Sequence, residues 1–382
     1  MKQNIAIIDP LGAHGSSHHF YLFGQAKGLI NNDVSISLYT NNETSNPNID
    51  GVRFFTFYKN IFKGKSKFIS GIKWVIGSIF SVFHARFSGV RIFHFHIFYT
   101  NILVLFNLLL VKLVFGKTVL TIHDVSSFAN LSDSSIIRNM IYKLTDLILT
   151  HNEFSKSEII KVRPNLSSRI YIVPHGNYIP FIHVQNDKEK SRKYLEISND
   201  KKVLLFFGMI KKVKGLDVLL HALKDVIKES SDVLLLIAGK AWKNNFANYQ
   251  RIIDENNLSD YCLLHTKFIP HADVEHYYCA ADLVVLPYKK IYQSGVLIMA
   301  LSYGKPVLVS DLPPLKEVVT DMQTAFLFES ENSISLTKEL NLILLNPEKL
   351  EQVRLNRKSL INTKYDWNEI GGQTKQAYQS LY

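Results

Sequence analysis

The segment at residues 207–215 reads FGMIKKVKG and carries Lys211, Lys212 and Lys214 between a glycine that ends an apolar run and a glycine that opens the next segment. Lysine ammonium groups on a loop can hold phosphate oxygens as point charges. A solvated basic turn is the plainer reading of the same residues. Residues 293–306, QSGVLIMALSYGKP, suit a short helix capped by Ser294, opened by Gly295 and ended by Gly304 and Pro306. The free N–H groups and dipole of such a helix start attract an anion. Taken alone, this is equally an ordinary capped helix. Histidines make a third set: His14, His18 and His19 early in the chain, His123 before Asp124, and His175 before Gly176. No HExxH or CxxC spacing accompanies them, so no metal site is expected. No Asp-x-Asp occurs either, which leaves no metal-held diphosphate site of that sort.

The elements that must position these residues are short apolar runs that end in loops. Residues 4–9, 34–39, 92–97, 118–122, 147–150 and 170–173 read as strands, with helical stretches between them, including 17–30. The pattern restarts near residue 202 with strands at 202–208, 233–239, 262–266, 283–287 and 306–310. Alternation of this kind predicts two doubly wound α/β domains with parallel sheets, facing each other across a cleft. The expected domains are residues 1–180 and 181–364, joined by a polar linker within residues 174–200. A helix at 365–382, with Trp367, Ile370, Ala377 and Tyr378 at helical spacing, closes the chain. In open parallel sheets, ligands bind beyond the carboxyl ends of the strands, and the lysines, the Ser294 helix and the histidines all fall there.

Composition supports this frame. The 382 residues are 47% apolar and 20% charged, enough to bury two cores. Two cysteines, Cys262 and Cys279, allow no disulfide framework beyond one bridge and fit a reducing compartment. No secretory signal is evident at the N-terminus. The net charge of +11 is uneven: residues 1–180 hold 18 Lys and Arg against 9 Asp and Glu. An anionic lipid, nucleic acid or anionic substrate would each match that surplus.

The motifs together resemble the retaining glycosyltransferases of family 4, which have the GT-B fold of two Rossmann-like domains. The resemblance rests on the first loop with Gly12 and Gly15, on TIHD (121–124), HNEFSK (151–156), VPHG (173–176), FGMIKKVKG (207–215), LLLIAG (234–239) and the run from 280 to 319. It implies transfer of a hexose from a UDP- or GDP-sugar, with retention, without a metal or other cofactor. It implies that Lys214, with Lys211, meets the donor diphosphate and that His123 lies near the transferred sugar. It implies further donor contacts at Gly12, Gly15, His175, Gly208, Gly239, Phe268, Ser294, Gly295, Val296 and Glu317. The last helix resembles the family's crossover to the N-terminal domain. Two departures stand out. Met209 occupies a position where the family often has Arg. Ile291 and Met299 occupy the positions of two glutamates, the second of which contacts ribose. The variant resembles a branch found in bacterial exopolysaccharide and surface-glycan pathways.

Residues 59–91 interleave Lys59, Lys63, Lys65, Lys67 and Lys73 with Phe62, Phe68, Ile72, Trp74 and Val75. Basic and aromatic residues mixed in this way suit an anionic membrane surface. Residues 102–115 are apolar but too short and interrupted to span a bilayer. The expected partners are therefore a nucleotide-sugar donor, a lipid-linked glycan or polysaccharide acceptor and the inner face of the cell membrane, with the protein otherwise cytoplasmic. Nucleic acid is not expected, because no recognised motif supports it. A nucleotide-sugar epimerase or phosphorylase on the same fold, and a non-catalytic partner subunit, are the competing readings.

Overall fold

A computed structural model describes residues 3–14, 17–64, 66–125, 134–182 and 184–382. The chain divides into two compact units, Met1–Gly176 with Lys364–Tyr382, and Asn177–Thr363.

The first unit runs β1 (Asn4–Ile8), α1 (His18–Asn31), β2 (Ser35–Asn41), β3 (Val52–Tyr58), α2 (Lys67–Phe87), β4 (Ile92–Ile97), α3 (Ile102–Leu113), β5 (Lys117–Ile122), α4 (Ser135–Leu144), β6 (Leu147–Thr150), α5 (Glu153–Val162) and β7 (Ile170–Ile172). Among the described residues the sheet has seven strands, all parallel, in the order β3-β2-β1-β4-β5-β6-β7. β1 and β4 are buried on both faces because helices cover both sides of the sheet. The order reverses between β1 and β4, the switch point where such sheets open a crevice.

The second unit runs α6 (Lys188–Tyr194), β8 (Lys202–Phe207), α7 (Leu216–Glu229), β9 (Val233–Ala238), α8 (Ala247–Glu255), β10 (Cys262–His265), α9 (His271–Ala280), β11 (Leu283–Leu286), α10 (Gly295–Ser302), β12 (Val307–Ser310), α11 (Pro313–Lys316), β13 (Phe326–Phe328), α12 (Ser333–Leu345) and α13 (Pro347–Thr363). Its parallel strands follow the order β10-β9-β8-β11-β12-β13, with the switch point between β8 and β11.

Two strands went unforeseen. β3 (VRFFTFY) lies at the sheet edge, half-buried over most of its length, so it lacks the clean apolar run of a central strand. β13 has only three residues. The linker reading for 174–200 also needs correction, because α6 lies inside it. Asp187 caps that helix through the Lys190 N–H at 2.8 Å. Arg192, only 1% exposed, donates to the carbonyl oxygens of Ala280 at 3.2 Å and Asn199 at 2.7 Å and to the Asp282 carboxylate at 2.8 Å. A guanidinium can be buried when all its bonds are met in this way. The charged stretch therefore belongs to the second unit.

The last helix, α14 (Trp367–Gln379), packs on α1 in the first unit. A side chain at Gly24 would collide with the Trp367 indole, and one at Gly28 with the Trp367 carbonyl. Those two glycines let the helices touch at backbone distance. Tyr378 OH meets His94 Nδ1 at 2.6 Å, and Asn32 donates to the Asn368 carbonyl at 2.8 Å.

Candidate functional site

In the second unit the expected residues line up along the carboxyl ends of adjacent strands. Phe268 follows β10, Gly239 follows β9, Gly208 follows β8, Ser294 follows β11 and Glu317 follows β12. Gly239 has φ +141°, and a Cβ there would strike the Gly208 carbonyl oxygen. Gly208 itself faces Val296, whose Cγ2 would lie 3.3 Å from an added Cβ. Gly215 has φ +68° and lies against the Pro287 carbonyl, so the lysine loop is pressed onto the loop after β11. Lys289 N–H donates to the Val213 carbonyl at 2.9 Å and ties the same two loops.

The lysines are held rather than loose. Lys214 Nζ lies 3.7 Å from the centre of the Tyr288 ring, and Lys211 Nζ 4.7 Å from that of Trp242. Aromatic faces attract cations and hold them in place. Ser294 Oγ accepts from the Leu297 N–H at 3.1 Å, as the cap reading requires, and lies 3.4 Å from Tyr288 OH. Lys214 and the α10 N-terminus thus share Tyr288 as a neighbour. Both an ammonium and the N–H dipoles of a helix start favour negative charge. Ile291 and Met299 are each 7% exposed and apolar. They pack where the resemblance expects two glutamates. Met209 is exposed, Phe268 is exposed, and Glu317 is half-buried just past α11.

In the first unit the histidines gather at the carboxyl ends of β4, β5, β6 and β7, beside the start of α1. His123 Nδ1 lies 3.1 Å from His151 Nε2, and His123 Nε2 lies 3.2 Å from His96 Nδ1. His151 Nδ1 donates to the Val173 carbonyl at 2.9 Å. That carbonyl can only accept, so the proton of neutral His151 sits on Nδ1 and its Nε2 accepts from His123. The same logic puts the His123 proton on Nδ1 and the His96 proton on Nδ1. His96 Nε2, now an acceptor, faces Gln25 Oε1 at 3.0 Å, while the Gln25 NH2 is buried without a partner. Turning that amide end for end supplies the donor and keeps every imidazole neutral. Burial pushes His94 and His175 down to about 3 and His151 to about 4. It also holds His96 and His123 well below their ordinary value, helped by the neighbouring imidazoles. Both ring nitrogens of His123 are therefore engaged inside the unit.

Tyr21 is the packing centre of the array. Its ring lies 4.8 to 5.5 Å from those of His175, His123, His96 and His151, and 5.3 Å from Trp367. His18 Nε2 lies 3.4 Å from the buried Asp9 carboxylate. Burial raises the Asp9 pKa and lowers that of His18, so low dielectric disfavours charge on both. His18, His96 and His123 present ring nitrogens within 4.8 Å of one another. A divalent metal could use that grouping only by displacing the proton shared between His96 and His123. Linear spacing did not foresee it, because the three come from α1, β4 and the loop after β5.

Other expected residues behave differently. Gly12, at φ +49°, packs against Thr44, Thr40 and Asn41 of its own unit, and its N–H donates to Asp9 at 3.0 Å. Gly15 lies outside the described residues. His175 donates through Nδ1 to the Gly176 carbonyl at 2.8 Å. His14 stacks on Phe62 at 3.7 Å beside Glu43, away from the array, and His19 packs on Phe20 and Phe23. His94, His96 and His151 were missed as a group. The alternation in IFHFHI puts His94 and His96 on one face of β4, and that was the available signal.

Residues 187–359 match the family described as glycosyl transferases group 1. The matched segment lies within the second unit. Every residue of the second unit expected to meet the donor, from Gly208 to Glu317, lies within the matched segment. The lipopolysaccharide 1,2-N-acetylglucosaminetransferase of Salmonella typhimurium is 27% identical over 224 residues, 56% of this chain and 58% of that protein. A putative glycosyltransferase of Bacillus subtilis, YtcC, is 24% identical over 279 residues, 70% of this chain and 68% of its own length. The chain thus spans between about half and two thirds of the curated relatives it matches. Among solved structures, Anabaena HepE in complex with UDP-glucose has a TM-score of 0.77 at 16% identity, with 99% of each chain covered. The catalytic domain of Arabidopsis thaliana starch synthase IV, bound to ADP and acarbose, has a TM-score of 0.76 at 14% identity over 100% of this chain and 99% of that one. The whole chain therefore has the expected fold of two Rossmann-like parallel-sheet units found in GT-B glycosyltransferases.

Proposed function

We propose that this protein transfers a hexose from a nucleotide diphosphate sugar to a lipid-linked or polysaccharide acceptor in bacterial surface-glycan synthesis, with retention and without a metal. The observation that carries the donor half is the α10 N-terminus beside Lys214, joined through Tyr288. Loss of the diphosphate leaves charge that fixed dipoles and a held cation stabilise without reorganising. The Gly295 and Val296 N–H groups meet the phosphate oxygens and Lys214 neutralises them, with Lys211 beside them. The acceptor hydroxyl approaches on the leaving-group side, so no protein nucleophile takes part. His123 takes no part as a general base, since both its nitrogens are engaged and burial keeps the ring neutral. The Salmonella relative acts on lipopolysaccharide and HepE binds UDP-glucose, which favours the surface-glycan and UDP-sugar choices.

A thermal-shift panel of UDP- and GDP-sugars tests the donor half. A ligand at a hundred times its Kd stabilises by about 2.7 kcal/mol. No shift with any nucleotide sugar overturns the reading. Product anomer configuration by NMR tests retention, and a rate unchanged by EDTA tests metal independence. A second reading, a partner subunit without activity, is favoured by the buried Ile291 and Met299. Donor binding without transfer or hydrolysis would select it.

A further inference from the structure

α2 is an amphipathic helix turned inside out. The residues it buries against the first unit are Gly77, Ser78, Ser81, Val82 and Ala85, mostly small, and Ser78 bonds to the buried Tyr58 hydroxyl at 3.1 Å. Its large apolar side chains face outward. Phe68, Ile72, Ile76, Phe80 and Phe87 are 77%, 46%, 46%, 60% and 85% exposed. At 3.6 residues per turn they fall within an arc of about 120°. Soluble proteins seldom present such a row to water. α3 packs beside α2 and adds exposed Leu109 and Leu113, with Phe115, 90% exposed, just past its end. Exposed apolar side chains are therefore not confined to α2.

Charge identifies what covers it. From residue 51 to residue 123 the sequence holds ten Lys and Arg and no Asp or Glu. Lys63 and Lys67 stand exposed at the α2 N-terminus, where the helix dipole adds to their positive potential. A second copy of the same face would meet it cation to cation. An anionic bilayer supplies the opposite sign and an apolar interior together.

We infer that α2 and the end of α3 form a docking face for an anionic lipid bilayer, with α2 lying in the plane of the headgroups. α2 has 21 residues and is apolar enough to cross a membrane. Crossing would strip the Ser78–Tyr58 bond and pull the helix off β3, whereas lying flat keeps both. Trp74 is not part of the face, contrary to the expectation for residues 59–91. It turns inward onto Tyr58, with ring centres 5.8 Å apart, and Val75 is half-buried. Lys65 lies outside the described residues.

The test is flotation of the full chain with vesicles, without any sugar nucleotide, so its failure leaves the donor reading untouched. Vesicles of phosphatidylcholine with phosphatidylglycerol should carry the protein at least tenfold better than phosphatidylcholine alone. The double variant Phe68→Glu, Phe80→Glu should abolish flotation while its melting temperature stays within a few degrees of the parent, because both side chains are solvent-facing. Lys63→Glu with Lys67→Glu should weaken it and make the remainder insensitive to salt. Binding by the Phe variant equal to the parent, or no binding of the parent, overturns the inference. A parent dimer in solution that the Phe variant abolishes, with no vesicle binding, assigns the face to self-association instead.

Discussion

His123 Nδ1 and His151 Nε2 lie 3.1 Å apart because β5 and β6 pair with Thr121 opposite Leu149, which brings the residues just past both strands into line. The same register logic sets His151 opposite Val173 across β6 and β7. The array is a product of strand pairing, and it has consequences for stability.

Stability should fall on acidification below about pH 6.5. His94, His151 and His175 are held at about 3, 4 and 3 in the folded chain, against 6.5 when exposed. Between those values the unfolded chain binds protons that the folded chain refuses. Stability is therefore full above 6.5 and is lost as pH falls toward 3. Each such histidine contributes a slope of about 1.4 kcal/mol per pH unit. Denaturant melts at pH 7, 6 and 5 check this, and a midpoint unchanged from pH 7 to 5 contradicts it.

Lys214→Ala should weaken nucleotide-sugar binding by roughly 10- to 100-fold, the range for a charge-assisted hydrogen bond worth about 1.5–3 kcal/mol. Lys214→Arg should recover part of that loss, since the charge and the stacking on Tyr288 both survive. Isothermal titration with the donor found by the thermal panel measures both. An unchanged Kd for the alanine variant removes Lys214 from the site.

Ser294→Ala should destabilise the second unit by about 1 kcal/mol through loss of the cap to Leu297. It should also weaken donor binding, because the first turn of α10 loses its fixed geometry. Ser294→Asp separates the effects: it keeps a cap but places a negative charge at the proposed diphosphate site. Stability should return in that variant while binding worsens further. Melting and titration of the pair decide it.

Trp367→Ala should destabilise the first unit by about 3–5 kcal/mol, the range for removing a buried aromatic. The indole is 4% exposed and fills the space left by Gly24 and Gly176. Hydrogen exchange should rise in α14 and α1 first. If exchange rises only in the second unit, the assignment of α14 to the first is wrong.

Much of the lysine loop and the capped helix of the second unit was legible because it is local. The cap of Ser294 on Leu297 spans three residues, and the turn from Lys211 to Gly215 spans five. Spacing within so short a stretch constrains backbone shape directly. The strands β8, β9, β11 and β12 were legible for a similar reason, since buried parallel strands appear as apolar runs. β3 was not, because an edge strand with half-exposed aromatics carries no such run.

By itself, then, the sequence determined two doubly wound domains, the lysine loop, the capped helix at residue 295 and the shortage of acidic residues near α2. Tertiary structure alone decided that His96, His123 and His151 join end to end, that His14 stands apart from them, and that Trp74 turns inward while Phe68 and Phe80 turn out. The reason is range. Helix starts and strand ends are set by interactions over a few residues, whereas which side chains meet depends on strand register and on the face each helix presents to the sheet. Those are settled only when segments far apart in the chain pack together.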